Sequence, residues 1–249
     1  PARATRRARA RAAGAEPGSV SAVVLAGGSG KRMGASIPKQ YLPLNGVPMA
    51  LYSLRLFASM PEVGEVVVVC GEEYAEVFEA EGAGGKPLKF AAPGAERQDS
   101  TRNGLAQVRS GAALAAIHDA ARPLADPADC RACFADALAH GAAVLGVQSK
   151  ATVKQVGADL MVERTLERAR LWEVQTPQVV RPELLARGYE LVEAEGLEVT
   201  DDVSIVEALG EPVKITKGSY ENIKVTTPED IAIAEKLLDA RAAAAAVEA

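Results

Sequence analysis

From Val20 onward, short apolar runs alternate with helix-like stretches, and this rhythm constrains the fold more than any other feature of the chain. The runs are VSAVVLA at 20–26, GEVVVVC at 64–70, LKFAA at 88–92, AAIHDA at 115–120 and GAAVLGV at 141–147. Val66 to Val69 are apolar on both faces, as a strand must be when helices cover both sides of a parallel sheet. Helices are expected over 47–59, 72–80, 99–113, 127–139, 182–194 and 202–209. A last one opens on Thr227-Pro228-Glu229-Asp230, where a capping hydroxyl, a first-turn proline and two acids coincide. The expected class is α/β, a mostly parallel sheet with helices on both faces.

One segment breaks the rhythm. ATVKQVGADLMVERTL at 151–166 reads as two strands joined by a Gly157-Ala158-Asp159 turn, a β-arm within about 149–170. A lone hairpin is marginal, so it needs a surface to pack on. A second copy of the chain is the economical candidate, and its own sheet is the alternative.

The 249 residues, 48% of them hydrophobic, suffice for one large domain over 19–249. A net charge of −5 argues against general nucleic-acid binding, so any positive site must be local. No apolar stretch is long enough to predict a membrane span. Cys70, Cys130 and Cys133 are too few for a disulfide framework. Cys130 and Cys133 form a CxxC without a second ligand pair and read as small apolar helix residues. Residues 1–18 are rich in Arg and Ala, with no acid before Glu16. They resemble the end of an organelle transit peptide, and a disordered tail would look the same.

Local positive charge follows the first strand, in AVVLAGGSGKRMGASIPKQY at 22–41. A dinucleotide fold needs GxGxxG opening a helix, but Met33 takes the third glycine's place and no acid follows about 20 residues on. A P-loop needs GxxxxGK[ST], and Arg32 follows Gly30-Lys31. What remains is a glycine turn and a loop whose Lys31, Arg32 and Lys39 can wrap a polyphosphate and neutralise a departing pyrophosphate. Three later stretches converge on the same face. IHDAARP at 117–123 ends a strand on Asp119, a lone carboxylate suited to Mg²⁺, with Arg122 close behind. GAERQDSTRNG at 94–104 offers a Gly turn, Arg97 and Ser100, which can cap a helix or bond a base. NIKVTTPED at 222–230 is expected to bring Lys224 near a strand end just before the last helix.

Taken in order, AGGSGKRM, PKQY, ERQDS, HDAARP, TVK, LW…QTPQ, VTDD and NIKVT resemble the 2-C-methyl-D-erythritol 4-phosphate cytidylyltransferases of the non-mevalonate isoprenoid pathway, over about Val20 to Leu238. KATVK, QTPQV and EVTDDVSIVE look most like plant and algal forms. The resemblance implies a Rossmann-like domain, a homodimer made by the projecting β-arm, and transfer of CMP from CTP to methylerythritol phosphate with Mg²⁺. It implies a plastid location, with bacterial cytoplasm the alternative.

Carried over by motif, Arg32, Lys39 and Lys224 would be catalytic, the first two at the transferring phosphorus. CTP would lie against Ala26, Gly27, Gly28, Gly30, Lys31, Gly94, Arg97, Ser100 and Asp119, with Asp119 also the metal ligand. Methylerythritol phosphate would be held by Arg122, Thr176, Thr200 and Lys224, with Thr152 and Arg168 reaching in from the partner's arm. Lys31, Lys150-Ala151 and Ala95 depart from the bacterial pattern, and Ala95 leaves only backbone for a base contact. The nearest rival is a cytidylyltransferase of the same fold acting on ribitol 5-phosphate. A rival of another class is a nucleotide-binding regulator without turnover.

Overall fold

The computed structural model describes residues 14–28 and 37–248. Most of the tail expected at 1–18 lies outside them, as do Gly30, Lys31 and Arg32. Where the chain is described, Gly18 N–H donates to Pro61 O at 2.9 Å just ahead of the first strand.

Seven strands form the main sheet: β1 (Val20–Leu25), β4 (Val63–Val69), β5 (Leu88–Ala91), β6 (Leu114–Asp119), β7 (Ala142–Gln148), β10 (Trp172–Val180) and β11 (Val213–Lys217). Their order is β11-β7-β10-β6-β1-β4-β5. Every pair is parallel except those of β10, which runs antiparallel to both β6 and β7. The helices are α1 (Met49–Ser59), α2 (Ala75–Glu81), α3 (Arg97–Leu105), α4 (Pro127–His140), α5 (Pro182–Glu195), α6 (Ser204–Ala208) and α7 (Pro228–Glu248). This is a Rossmann-like α/β fold.

The period of two along β1 explains the layering. Ala22 and Val24 enter one apolar cluster with Phe57, Phe134 and Cys133, while Val23 enters another with Ile117, Leu185 and Val206. Both faces of the sheet are thus covered. Cys130 and Cys133 are buried and unbridged on α4, and burial pushes both thiols up. Among the described residues no His, Cys, Asp and Glu gather as a metal cluster, and no helix is long and apolar enough to cross a membrane.

Several expected boundaries shift. Residues 47–48 are not helical: β2 (Pro43–Leu44) and β3 (Val47–Pro48) make a small hairpin, with Asn45 and Gly46 at φ 47° and 76°. Asn-Gly is the dipeptide that tolerates two consecutive positive φ values. Helix α3 starts at Arg97, not 99, because Glu96 and Asp99 form a reciprocal capping box. It stops at Leu105, well short of 113, and Arg109 N–H donates to the Glu65 carboxylate at 2.7 Å instead of continuing a helix.

Strands β10 and β11 have no counterpart in the expected series, and the strand expected to end near Lys224 does not form: residues 222–226 run without regular structure, with Val225 N–H donating to Ala121 O at 2.8 Å. Between 151 and 166, β8 (Lys154–Val156) and β9 (Val162–Thr165) form a sheet of their own, separate from the main one. Its turn is longer than Gly157-Ala158-Asp159: Gly157 N–H donates to Met161 O at 3.0 Å, and Leu160 takes φ 64°.

Candidate active site

The strand order reverses between β1 and β6: β4 and β5 lie to one side, β6 and the strands beyond it to the other. Ligands of open α/β sheets bind beyond the carboxyl ends of the strands at such a point. Leu25 and Asp119, the last residues of β1 and β6, are register partners there. A cleft of about 710 Å³ opens above them, lined by Gly27, Gly28, Lys39, Gly94, Arg97, Ser100, Asp119, Lys224 and Thr226 among others. Its size suits a nucleotide with an acceptor.

The glycine turn is shaped by its neighbours. Ala26 N–H continues the ladder to Val69 O at 2.8 Å. A Cβ on Gly27 would stand 2.4 Å from Pro93 Cβ, so the turn closes against the 93–100 segment only without a side chain. At Gly94 an added Cβ would meet Asp99 Cβ at 2.1 Å. Gly94 N–H donates to Ser100 Oγ at 3.0 Å, and that hydroxyl donates to Glu96 O at 3.1 Å. Ser100 therefore fixes the Gly94 turn and keeps no hydrogen to offer a base.

Charge is organised around Asp119. Arg97 Nε approaches Asp119 Oδ1 at 3.2 Å, and Lys224 Nζ approaches Oδ2 at 2.6 Å. The other end of Arg97, Nη2, pairs with Asp202 Oδ2 at 2.8 Å. Burial alone would raise the Asp119 carboxyl, but Arg97 and Lys224 outweigh it and hold the group well below the usual carboxylate range. Asp202 is shifted the other way, raised by burial that Arg97 offsets only in part. Arg97 thus stands between an ionised cleft carboxylate and a buried second one. Lys39 reaches the same region from a short 3₁₀ turn, Lys39–Tyr41, its Nζ donating to Val225 O at 2.6 Å.

Arg122 is tied into the chain through its two terminal nitrogens, while its buried Nε has no hydrogen-bond partner among the described residues. Its Nη1 donates to Asn222 O at 2.7 Å and its Nη2 to Val174 O at 3.3 Å, tying β10 and the 219–224 loop to the end of β6. Thr176 is 3% exposed. Its Oγ1 accepts from Asp119 N–H at 3.1 Å and meets His118 Nδ1 at 3.0 Å, while His118 Nε2 lies 3.1 Å from Arg122 O. A carbonyl only accepts, so Nε2 carries the hydrogen, Nδ1 is bare and the Thr176 hydroxyl donates to it. Burial pushes His118 down to about 4, in keeping with a neutral ring. Thr176 in this arrangement supports the Asp119 backbone and has no free hydrogen for a substrate.

The structure brings Gly27, Gly28, Lys39, Gly94, Arg97, Ser100, Asp119 and Lys224 together around the cleft, with Ala26 buried beneath the glycine turn. It leaves Thr152 and Arg168 exposed on and beside the hairpin, away from the cleft lining. Thr200 is exposed and lines a smaller hollow of about 70 Å³ that shares Glu96 and Arg97 with the cleft but lacks Asp119 and Lys224. The sequence reading missed Gln40, His118, Asp202 and Asn222 as site-building residues. All four stand inside the quoted PKQY, HDAARP, VTDD and NIKVT stretches, and a polar residue within an apolar run was a further signal for His118.

Comparison with known proteins agrees with this geometry. The family model "2-C-methyl-D-erythritol 4-phosphate cytidylyltransferase" matches residues 20–240. A chloroplastic protein of that name from Oryza sativa subsp. japonica is 56% identical over 222 residues, covering 89% of this chain and 75% of the relative. One from Pelotomaculum thermopropionicum is 45% identical over 226 residues, covering 89% and 95%. Among solved structures, the 4-diphosphocytidyl-2C-methyl-D-erythritol synthase of Anaerococcus prevotii superposes with a TM-score of 0.78 at 27% identity, covering 88% of this chain and 98% of its own. The chain belongs to the 2-C-methyl-D-erythritol 4-phosphate cytidylyltransferase family.

Proposed function

We propose that the cleft above β1 and β6 holds CTP on the glycine-turn side and methylerythritol phosphate on the Lys224 side, and that its cations carry the family's reaction. The chain is a cytidylyltransferase of the non-mevalonate pathway. The observation that carries the residue assignment is the convergence of Lys39, Arg97 and Lys224 on one carboxylate-bearing cleft in an acidic chain. An oxygen of the acceptor phosphate attacks the α-phosphorus, a new phosphoanhydride bond forms, and the bond to the β-phosphate breaks to release pyrophosphate. No protein nucleophile is required, so catalysis rests on positioning and neutralisation. Lys39, with Arg32 from outside the described residues, is assigned to the transferring phosphorus, and Lys224 to the acceptor phosphate.

Asp119 is the residue assigned to Mg²⁺. A single carboxylate suits an ion that completes its shell with water and phosphate oxygens, and Asp119 lines the cleft at the end of β6, its oxygens facing Arg97 and Lys224, with which the ion would share them. When bound, Mg²⁺ would neutralise charge on the nucleotide's phosphates. The protein's own contribution there is to keep Asp119 ionised and oriented, through Arg97, Lys224 and the Thr176 hydroxyl under its backbone.

The projecting hairpin supports a homodimer. Leu160, Met161 and Val162 are 79%, 69% and 58% exposed, an apolar tip that a second copy would cover. Thr152 and Arg168 are then assigned to the partner's cleft, which accounts for their distance from their own. A plastid location is favoured by the rice relative, whose name specifies the chloroplast. The function is tested by pyrophosphate release with Mg²⁺, CTP and methylerythritol 4-phosphate, beside ribitol 5-phosphate and beside ATP, GTP and UTP. Release with the first pair alone is expected. Equal or faster release with ribitol 5-phosphate would move the protein to the rival acceptor, and no release with any pair would favour a regulator.

A further inference from the structure

We infer that Gln40 is a positioning residue for nucleotide binding, its side-chain amide fixing the direction in which the glycine turn after β1 presents its peptide groups. The inference rests on the cleft above β1 being the CTP site. Gln40 Nε2 donates to Ala26 O at 2.6 Å and to Gly28 O at 2.7 Å. A primary amide has two hydrogens on nitrogen, and these bonds use both. Gln40 is 3% exposed and Ala26 1%, so water does not compete for the Ala26 carbonyl.

The position of these carbonyls gives the bonds their consequence. The β1 ladder ends at Ala26, whose N–H meets Val69 O at 2.8 Å. Beyond it, side chains hold the backbone. Tyr41 hydroxyl also donates to Ala26 O, at 2.9 Å, and the Tyr41 ring is held by stacking on Tyr74 at 3.7 Å between centroids. In a trans peptide the carbonyl and the following N–H point in opposite directions. With Ala26 C=O turned onto Gln40, Gly27 N–H faces away from Gln40, and both Gly27 and Gly28 line the cleft. The residue just before Gln40 is Lys39, on the same three-residue turn. One amide therefore ties the turn that presents Lys39 to the turn that would meet the nucleotide.

Chemistry restricts the position to a neutral donor. Glutamate has the same shape but would set carboxylate oxygens against two carbonyl oxygens, reversing both interactions. Methionine keeps length and neutrality but donates nothing. The test measures CTP affinity by titration calorimetry with Mg²⁺, KM for each substrate, and Tm, in wild type, Gln40→Glu, Gln40→Met and Tyr41→Phe. Gln40→Glu is expected to weaken CTP at least tenfold and Gln40→Met by a smaller factor, with Tyr41→Phe smaller again because Gln40 still holds Ala26. KM for methylerythritol phosphate at saturating CTP is expected to stay within threefold. A merely structural role would instead raise both KM values in step with a fall in Tm, and that outcome overturns the inference. Wild-type CTP affinity in folded Gln40→Glu overturns it as well, and if that variant does not fold, wild-type affinity in Gln40→Met does so. A wild-type chain that fails to bind CTP would refute the functional reading first, and this inference with it.

Discussion

Arg97 shows how a single side chain can be both structure and site. It spans two carboxylates, the cleft-facing Asp119 and Asp202, whose side chain is 1% exposed. Removing one partner of a buried ion pair leaves an uncompensated charge, which costs about 3–5 kcal/mol. Arg97→Met is therefore expected to lower Tm by about 10 °C, with Asp202→Asn recovering much of the loss in the double variant. Thermal unfolding of the four-member cycle checks this, and strictly additive effects would contradict the pairing. The place of Arg97 as a cation lining the cleft was readable from ERQDS. Its second partner was not, because 105 positions separate it from Asp202 and only the packing of α3 on the loop before α6 brings them together. Ser100 and Thr176 advertise free hydroxyls by residue type, yet a bond to Glu96 O four positions away and one to His118 Nδ1 58 positions away consume the hydrogens.

Among the elements, strands covered on both faces were the legible ones. Runs such as Val66–Val69 carry their burial in their composition, and β1, β4, β6 and β7 fall where those runs lie. Strand β10 escaped because WEVQTPQVV contains a proline, which argues against a central strand. The structure accommodates Pro177 at a break in the β10–β7 register between Val174 and Gln178, where a ladder bond is already missing. The β2–β3 hairpin escaped although Asn45-Gly46 announces it, since two-residue strands have no period to detect. The hairpin at β8–β9 was legible as an interruption of the βα alternation, and its separation from the main sheet leaves its apolar tip uncovered within one chain. Replacing residues 154–165 by a short Gly-Ser link is expected to halve the mass in sedimentation equilibrium, from twice 25.9 kDa to a single chain. A shortened chain that still sediments as a dimer would contradict the arm's role.

Across the whole molecule, an excess of acid coexists with a cleft that, on the proposed function, receives a triphosphate and a phosphomonoester. The net charge of −5 disfavours their approach at long range, so cations within the cleft have to act at short range, where screening is weak. The fold supplies this by bringing Lys39, Arg97 and Lys224, drawn from three distant parts of the sequence, to the strand-order reversal between β1 and β6. Asp119 orders two of them, and Lys39 is steadied by a backbone carbonyl, so the charges are set in place before substrates arrive. In the proposed function Lys39 acts on the transferring phosphorus in the transition state and contributes less to holding CTP. The most direct measurement is kcat for pyrophosphate release by Lys39→Ala at saturating substrates, alongside its CTP dissociation constant. A loss in kcat of about 10² or more, the usual scale for removing such a preorganised group, with affinity changed by less than tenfold, is predicted. Unchanged kcat in the folded variant would contradict the account.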